Sequence, residues 1–323
     1  MTRSIVGVLR GGTSNEYTLS LKTGAEMLRV LPEERYDVRD ILIDKNGMWH
    51  LRGQPATPAR ALAQVDVVLN ALHGGVGEDG TVQRILERAG VSYAGSRASQ
   101  SALSLNKIRA REVLQKAGVK MPRAITFSID NGLNTAEMAA VVFSQFGPPY
   151  MVKPPGEGGS HGLLLSPTIA ELPDIIGDVI DAYGTALIEE FVRGEEASVG
   201  IIENFRDEEL YALPPAHVHK ESPHLLSMHH TEGMLRHSVP SRFSYTQKLS
   251  LADVARTAHR ALGLSHFSRA DIIVAPQGIY LLEVNSIPGL YPSASFPAML
   301  ESVGSSVLEF LEHSMRLAKD RSR

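Results

Sequence analysis

The stretch SRADIIVAPQGIYLLEVNSIPG, residues 268–289, restricts the fold more than any other part of the chain. Two β-rich runs, 271–275 and 279–284, flank Pro276, Gln277 and Gly278. Apolar β-branched runs around a short Pro/Gly turn predict a hairpin. A three-residue loop ending in glycine pairs Ala275 with Ile279, and the ladder then sets Asp271 opposite Glu283. Carboxylates facing each other across strands repel by a few tenths to about 1 kcal/mol. Otherwise apolar strands tolerate such a pair best with a cation between them. Asn285 and Arg269 stand two residues from Glu283 and Asp271, so they project from the same face. The donor set is hard, all-oxygen and incomplete, which suits Mg2+ sharing its shell with water and phosphate. The alternative is a polar edge hairpin whose acids pair with distant Lys or Arg.

At 323 residues the chain can bury two or three domain cores. A net charge of −4 gives no reason to expect nucleic acid or an anionic membrane as partner. The absence of cysteine excludes disulfides, thiolate catalysis and cysteine-ligated zinc, and fits a reducing cytoplasm. MTRSIVGVLRGG reads as a first strand rather than a signal peptide, and no apolar run is long enough to span a membrane.

Along the chain, residues 4–9 predict a strand, 11–16 a glycine turn and 18–30 a helix. Such a turn lies at the carboxyl end of a strand, where open α/β sheets bind ligands. Glu16 there can hold a cationic group, or simply favour a helix N-terminus. Residues 36–43, 65–69 and 91–94 predict further strands, and 81–89 a helix. Gly75, Gly77 and Gly80 formally match the dinucleotide fingerprint, but no acid occurs between residues 88 and 111, so NAD is rejected. His73 reads equally as a ligand contact or a helix-start histidine. A single helix is expected over 101–117, carrying Lys107 as a solvated lysine or a phosphate contact. The glycine-rich loop 154–162 joins two short strands and lacks a GK[ST] ending, so it is not a P-loop. It reads as an anion nest assisted by Lys153, or as a flexible hairpin tip. Residues 186–192 predict a strand running into a linker at Arg193 and Gly194. That crossing could seat a flat heterocycle, with Glu196 near a ribose. Residues 214–240 carry six histidines and little periodicity. They read as a substrate-covering lid, a surface loop or, least supported, a zinc site. Helices are expected over 249–262 and 301–319.

Taken together, GGTSNE, ALHGGVGEDG, SALSLNKIRAR, VKPPGEGGSHG, LIEEFVRGEE, SRADI and LLEVNSIPG resemble the D-alanine–D-alanine ligase family of the ATP-grasp superfamily, in the family's order and over nearly the whole chain. The resemblance implies an α/β (α+β) protein. Its N-terminal open α/β domain (1–96) precedes a two-lobed ATP-grasp fold, with a central lobe (97–192) and a C-terminal lobe carrying the metal site and lid (193–323). It implies that ATP phosphorylates the carboxylate of one D-alanine, and that the amine of a second attacks the acylphosphate, for peptidoglycan precursor synthesis. A D-alanine–D-lactate ligase, or an ATP-binding protein with weakened ligase activity, is the alternative. By resemblance, Glu16 anchors the first amino group and His73 lies near the substrates. Lys107 and Lys153 bind phosphates beneath the loop of Gly158, Gly159 and Ser160. Glu189, Val192 and Glu196 surround adenine and ribose. Asp271, Glu283 and Asn285 ligate Mg2+ or Mn2+, and Arg269 and the Gly289 N–H stabilise the tetrahedral intermediate. A homodimer is also implied.

Three positions depart from the family pattern. Gly159 stands where the family has serine, with Ser160 beside it. His229 and His230 stand at the lid's usual Lys-Tyr. Ala294 replaces the serine that holds the second substrate's carboxylate, leaving Ser293 or Ser295 as substitutes. A lid histidine resembles ligases that prefer D-lactate, since a protonated imidazole favours an anionic hydroxy acid.

Overall fold

The computed structural model describes residues 3–159, 161–219 and 236–321. Ser160, His224, His229 and His230 lie outside the described residues. The first sheet contains β1 (Ser4–Gly11), β2 (Tyr36–Ile43), β3 (Trp49–Leu51), β4 (Gln54–Ala56), β5 (Val67–Asn70) and β6 (Ser92–Tyr93), in the order β4-β3-β2-β1-β5-β6. β1 runs parallel to β2 and β5, and β5 parallel to β6. Helices α1 (Tyr17–Val30), α2 (Pro58–Leu62) and α3 (Thr81–Arg88) make the connections. The turns bearing Glu16 and His73 leave the carboxyl ends of β1 and β5 side by side, as expected for an open parallel sheet.

The single helix expected over 101–117 is two helices, α4 (Ala98–Leu105) and α5 (Lys107–Lys116). Asn106 separates them in an extended conformation, and its side chain accepts from Arg109 N–H as an N-cap. Lys107 therefore opens a new helix instead of riding mid-helix, and its own N–H donates to Pro155 O at 2.8 Å. The helix break thus fixes Lys107 beside the glycine-rich loop. α5 sends Ala110 and Leu114 into a core shared with the C-terminal sheet.

The second sheet is antiparallel, in the order β7 (Ala124–Ser128), β10 (Thr185–Glu190), β8 (Tyr150–Lys153), β9 (Leu164–Ser166). α6 (Thr135–Gln145) and α7 (Leu172–Tyr183) bury Val142, Leu172 and Ile176 against it. The glycine-rich loop joins β8 to β9, which are paired as a hairpin.

In the third sheet β11 (Glu195–Phe205) is flanked by β15 (Phe267–Ala275) and β13 (Ala216–His219), and it also pairs β12 (Glu208–Ala212). The edges are β14 (Arg236–Ser238) and β16 (Gly278–Asn285). The region read as irregular thus contributes two short strands. α8 (Tyr245–Ala261) starts earlier than expected because Ser244 and Gln247 form a capping box.

The β15–β16 turn corrects the expected register. Ala275 pairs Gly278, not Ile279, so the loop is only Pro276 and Gln277. A bulge between Asp271 and Ile272 then inserts one residue on the opposite strand, and Asp271 faces Glu283 after all. The two one-residue differences cancel. The closing helix is also two: α9 (Ser295–Ser302) and α10 (Val307–Arg321), separated at Gly304, whose φ of +69° is left-handed. α10 lies on the first sheet, so Phe310, Leu311 and Met315 share one core with Val6, Val8 and Leu69. Among the described residues no helix is long and apolar enough to cross a membrane.

Where the first and third sheets meet, Gly95 N–H donates to His266 Nδ1 at 3.1 Å, and His266 N–H donates to Glu203 at 2.6 Å. Burial, helped by Arg321, pushes the His266 pKa down to about 4, so the ring is neutral in the fold. The unfolded chain binds this proton near the ordinary value of 6.5, so it carries more protons than the fold between those values. Stability is therefore expected to fall as pH drops from 6.5 to 4, by up to about 1.4 kcal/mol per pH unit from this group. Urea unfolding across that range checks it. In His266→Asn, which tolerates the left-handed φ of 68° and does not titrate, the slope should flatten by one proton's worth.

Candidate active site

The three sheets enclose a cavity of about 280 Å3. The β15–β16 hairpin forms its floor. Arg269 grips Asp271 through two bonds, Nε to Oδ1 at 3.0 Å and NH2 to Oδ2 at 2.6 Å. Ser198 Oγ on β11 donates to Asp271 Oδ1 at 2.7 Å, and Asn285 Nδ2 donates to Oδ2 at 2.9 Å. The alternation of the strands puts all four side chains on one face. Burial opposes the charge on Arg269, but Asp271 outweighs it and holds the guanidinium fully protonated. Lys107 Nζ lies 3.2 Å from Glu283 Oε2 and donates to Glu157 O at 2.6 Å. Enclosure alone would raise the Glu283 pKa; Lys107 and Lys153 reverse this and hold it below its ordinary value. The facing acids are thus compensated by cations drawn from α5, β8 and their own hairpin.

This donor set fits a hard divalent cation. Asp271 and Glu283 supply carboxylate oxygens, and Asn285 keeps its carbonyl oxygen after giving its N–H to Asp271. Among the described residues no three His, Cys, Asp or Glu side chains gather as a metal site, so the set is two acids and an amide.

On the opposite wall, burial and then the charges of Glu78 and Glu283 raise the Glu16 pKa to about 8, against Lys107 and Arg269. His73 is buried, and its pKa is lowered to about 4 by burial and by Arg269. The neutral ring is used on both sides: Nε2 meets Thr23 Oγ1 at 2.8 Å, and the ring also bonds the Ile287 backbone. Thr23 Oγ1 accepts from Leu290 N–H at 3.4 Å. Glu78, whose pKa burial raises, accepts from Ser286 Oγ at 2.8 Å, from Gly74 N–H at 2.9 Å and from Ile287 N–H. Thr23 of α1 and His73 and Glu78 of the turn after β5 therefore clamp residues 286–290, the segment that presents Gly289 to the cavity.

Of the expected site residues, Glu16, His73, Lys107, Lys153, Gly159, Glu196, Arg269, Asp271, Glu283, Asn285, Gly289 and Ser293 line this one cavity. Gly158 packs against Glu16. Glu189 is buried and paired with Lys153 at 2.7 Å and Arg111 at 3.4 Å, so it supports Lys153 from behind. Glu189 and Val192 are not among the lining residues. Ser160 and His230 fall outside the described residues. Of the three described histidines in the lid region, His237 lines the cavity, whereas His217 and His219 pack on each other with centroids 4.4 Å apart and rings tilted by 40°.

Sequence reasoning passed over Glu78, Thr23, Ser198 and Ser286. Glu78 stood in a glycine run before a helix, where an acid needs no further reason. Thr23 sat within a helix. Only the packing of the β16 loop onto the first sheet gives either a partner.

Comparison with known proteins agrees with this geometry. The family models described as D-ala D-ala ligase C-terminus and N-terminus match residues 113–315 and 51–96. The chain is 32% identical to a D-alanine–D-alanine ligase of Desulforudis audaxviator, over 98% of this chain and 99% of that one. It is 33% identical to one from Syntrophobacter fumaroxidans, with 97% of each chain covered. Among solved structures, D-alanyl-alanine synthetase A from Vibrio cholerae superposes with a TM-score of 0.89 at 24% identity, covering 99% of this chain and 100% of that one. A D-Ala:D-Ser ligase from Enterococcus faecalis superposes at 0.83 and 25%, covering 98% and 100%. Sequence, fold and cavity agree, and the chain belongs to the D-alanine–D-alanine ligase family.

Proposed function

We propose that this chain joins two D-alanine molecules at the expense of ATP, in the order acylphosphate, then dipeptide. The observation that carries this reading is the compensated pair Asp271–Glu283, flanked on one side by Lys107 and Lys153 and on the other by Arg269 and Gly289, in a cavity shared with Glu16. Residues 1–96 are read as the amino-acid-holding unit, and 97–192 and 193–323 as the lobes that grasp the nucleotide.

In this reading Glu16 holds the ammonium of the first D-alanine, so that its carboxylate faces the γ-phosphoryl group. Lys107 and Lys153 neutralise the phosphate oxygens, since phosphoryl transfer needs positioning and charge compensation above all. The loop of Gly158, Gly159 and Ser160 covers the phosphates, while Glu189, Val192 and Glu196 belong to the nucleotide end. Asp271, Glu283 and Asn285 hold Mg2+ or Mn2+, which supplies further neutralisation of the phosphate charge when bound. The second amine then attacks the acyl carbon and loses a proton, and the acyl C–O bond breaks, its electron pair leaving on the phosphate oxygen. Arg269 and the Gly289 N–H face the oxygen that becomes anionic. Each donor of this kind is worth about 3–4 kcal/mol. His73 acts here through the loop it braces. The enzyme is further read, on the resemblance alone, as a cytoplasmic homodimer.

One observation favours a second reading of the acceptor. Ala294 caps α9 with no side-chain hydrogen bond. The first turn of α9 thus has no side-chain cap for its N–H groups, and Ser293, Ala294 and Ser295 at its start stand on the cavity wall, where an acceptor carboxylate could meet them. With the family's serine absent, D-lactate or D-serine competes as second substrate, aided by His230 or His237.

Phosphate release with and without D-alanine, followed by mass spectrometry of the product, tests the reading. D-alanyl-D-alanine is the expected product, and ATP turnover with no D-alanine dependence would sink it. With D-lactate present, a depsipeptide share that rises as pH falls through the histidine range selects the second reading. Arg269→Lys, which loses the bidentate fork, should lower kcat/KM about 100-fold or more with the fold intact. Thr23→Val removes the hydroxyl between His73 and Leu290, and should cost about 1–3 kcal/mol in urea unfolding and reduce kcat.

A further inference from the structure

Glu16 is enclosed by backbone. A β-carbon built on Gly74 or Gly158 falls within 3.0 Å of Glu16 Oε2, closer than real β-carbons come. One on Gly159 falls 2.8 Å from Oε1 and 3.0 Å from the carboxyl carbon. These glycines come from two separate segments, the turn after β5 and the β8–β9 loop. Gly74 and Gly159 have left-handed φ values of 61° and 56°, which alone favour glycine. Gly158 does not, so at Gly158 only space demands it. Gly156, in the same loop, would meet nothing within 4 Å. Gly162, at the far end of the loop, also lacks room for a β-carbon, but there the obstacle is Pro154; within the loop only at Gly158 and Gly159 is it Glu16.

The loop is already tied down on this side. Lys107 bonds Pro155 O through its N–H and Glu157 O through its Nζ, and Asn15 Nδ2 donates to Glu157 Oε2 at 3.2 Å. The last approach onto Glu16 is left to glycine. We propose that Gly158 and Gly159 are positioning residues for Glu16, forming with Gly74 a side-chain-free collar that holds its carboxylate where the ammonium of the activated amino acid docks. This rests on the ligase reading above.

The collar has an electrostatic consequence. Glu78 and Glu283 disfavour charge on Glu16, while Lys107 and Arg269 favour it; enclosure adds the largest effect and leaves its pKa near 8. A bound ammonium reverses the balance, so amine binding and proton loss from Glu16 are linked. A β-carbon at Gly158 meets the tip of a flexible side chain, so the fold gives way by displacing Glu16. The anchor then moves into water.

The test is the titration of Glu16 by 13C NMR of carboxyl-labelled glutamate, assigned with Glu16→Gln. In the full-length wild type the midpoint is expected near 8. In Gly158→Ala it should fall by about one unit or more, a tenfold change in proton affinity, with the unfolding temperature little changed. In turnover assays the KM of the first D-alanine should rise more than kcat falls, and the acid limb of kcat/KM should move down with the titration. Glu16→Asp draws the carboxylate back by about 1.5 Å, one C–C bond. It makes room for the β-carbon, so the double variant should bind the first D-alanine better than the two single effects predict. An unchanged midpoint in Gly158→Ala, or strict additivity with Glu16→Asp, overturns the collar. If Gly158→Ala unfolds, the collar is overturned as well, since the loop then serves packing. The titration needs no turnover, so a wild type inert toward D-alanine would sink the ligase reading and leave the collar to be decided by NMR.

Discussion

Two carboxylates set opposite each other on a half-buried hairpin need cations brought to them, and this requirement organises the rest of the molecule. Arg269 comes from the same strand as Asp271 and takes both its oxygens. Lys107 arrives at Glu283 because Asn106 breaks a helix just before it. Lys153 stands at the end of β8, held from behind by Glu189. Each cation belongs to a different element, so compensating the pair also fixes the hairpin, α5 and the central sheet around one cavity. A lone salt bridge at a surface is worth little; here the pairs are shielded and share partners, so shifting one disturbs its neighbours.

The second constraint is hydrogen bonding across the two outer sheets. The segment bearing Gly289 is irregular backbone, and buried irregular backbone must find partners outside regular structure. Thr23, His73 and Glu78 provide them. Glu16 stands in the neighbouring turn, at the start of the helix that carries Thr23. The turn of Glu16 and the backbone of Gly289 are therefore held in register by contacts between the same two layers. His73 and Glu78 can do this only as uncharged or well-bonded groups, which their burial enforces.

Much of this was legible in the chain. The open parallel sheet, the glycine turns at its carboxyl edge and the facing of Asp271 with Glu283 follow from period and spacing. The facing came out right although the turn is one residue tighter than expected, because the bulge restores the count. A bulge leaves almost no mark in an apolar strand, so the register could not be read step by step. The break at Asn106 was concealed because asparagine is tolerated inside a helix and only its capping bond shows it acting as a start. Gly304 similarly divides what reads as one closing helix. Thr23 and Glu78 are recognisable only from their partners, which lie 267 and 208 residues away along the chain. Periodicity contains no information at that separation.

The placement of α10 has a further meaning for how the molecule comes into being. Its Phe310, Leu311 and Met315 complete the core begun by Val6, Val8 and Leu69. Met27 of α1 and Leu31 at its end cover part of that face locally, but the remainder is closed only by a contact between residues far apart in the sequence. Contacts of such separation form late because the loop between them must close first. An apolar sheet face left open meanwhile is prone to association. Cutting α10 short would therefore bare Val6, Val8 and Leu69 to other molecules and not merely shorten a helix.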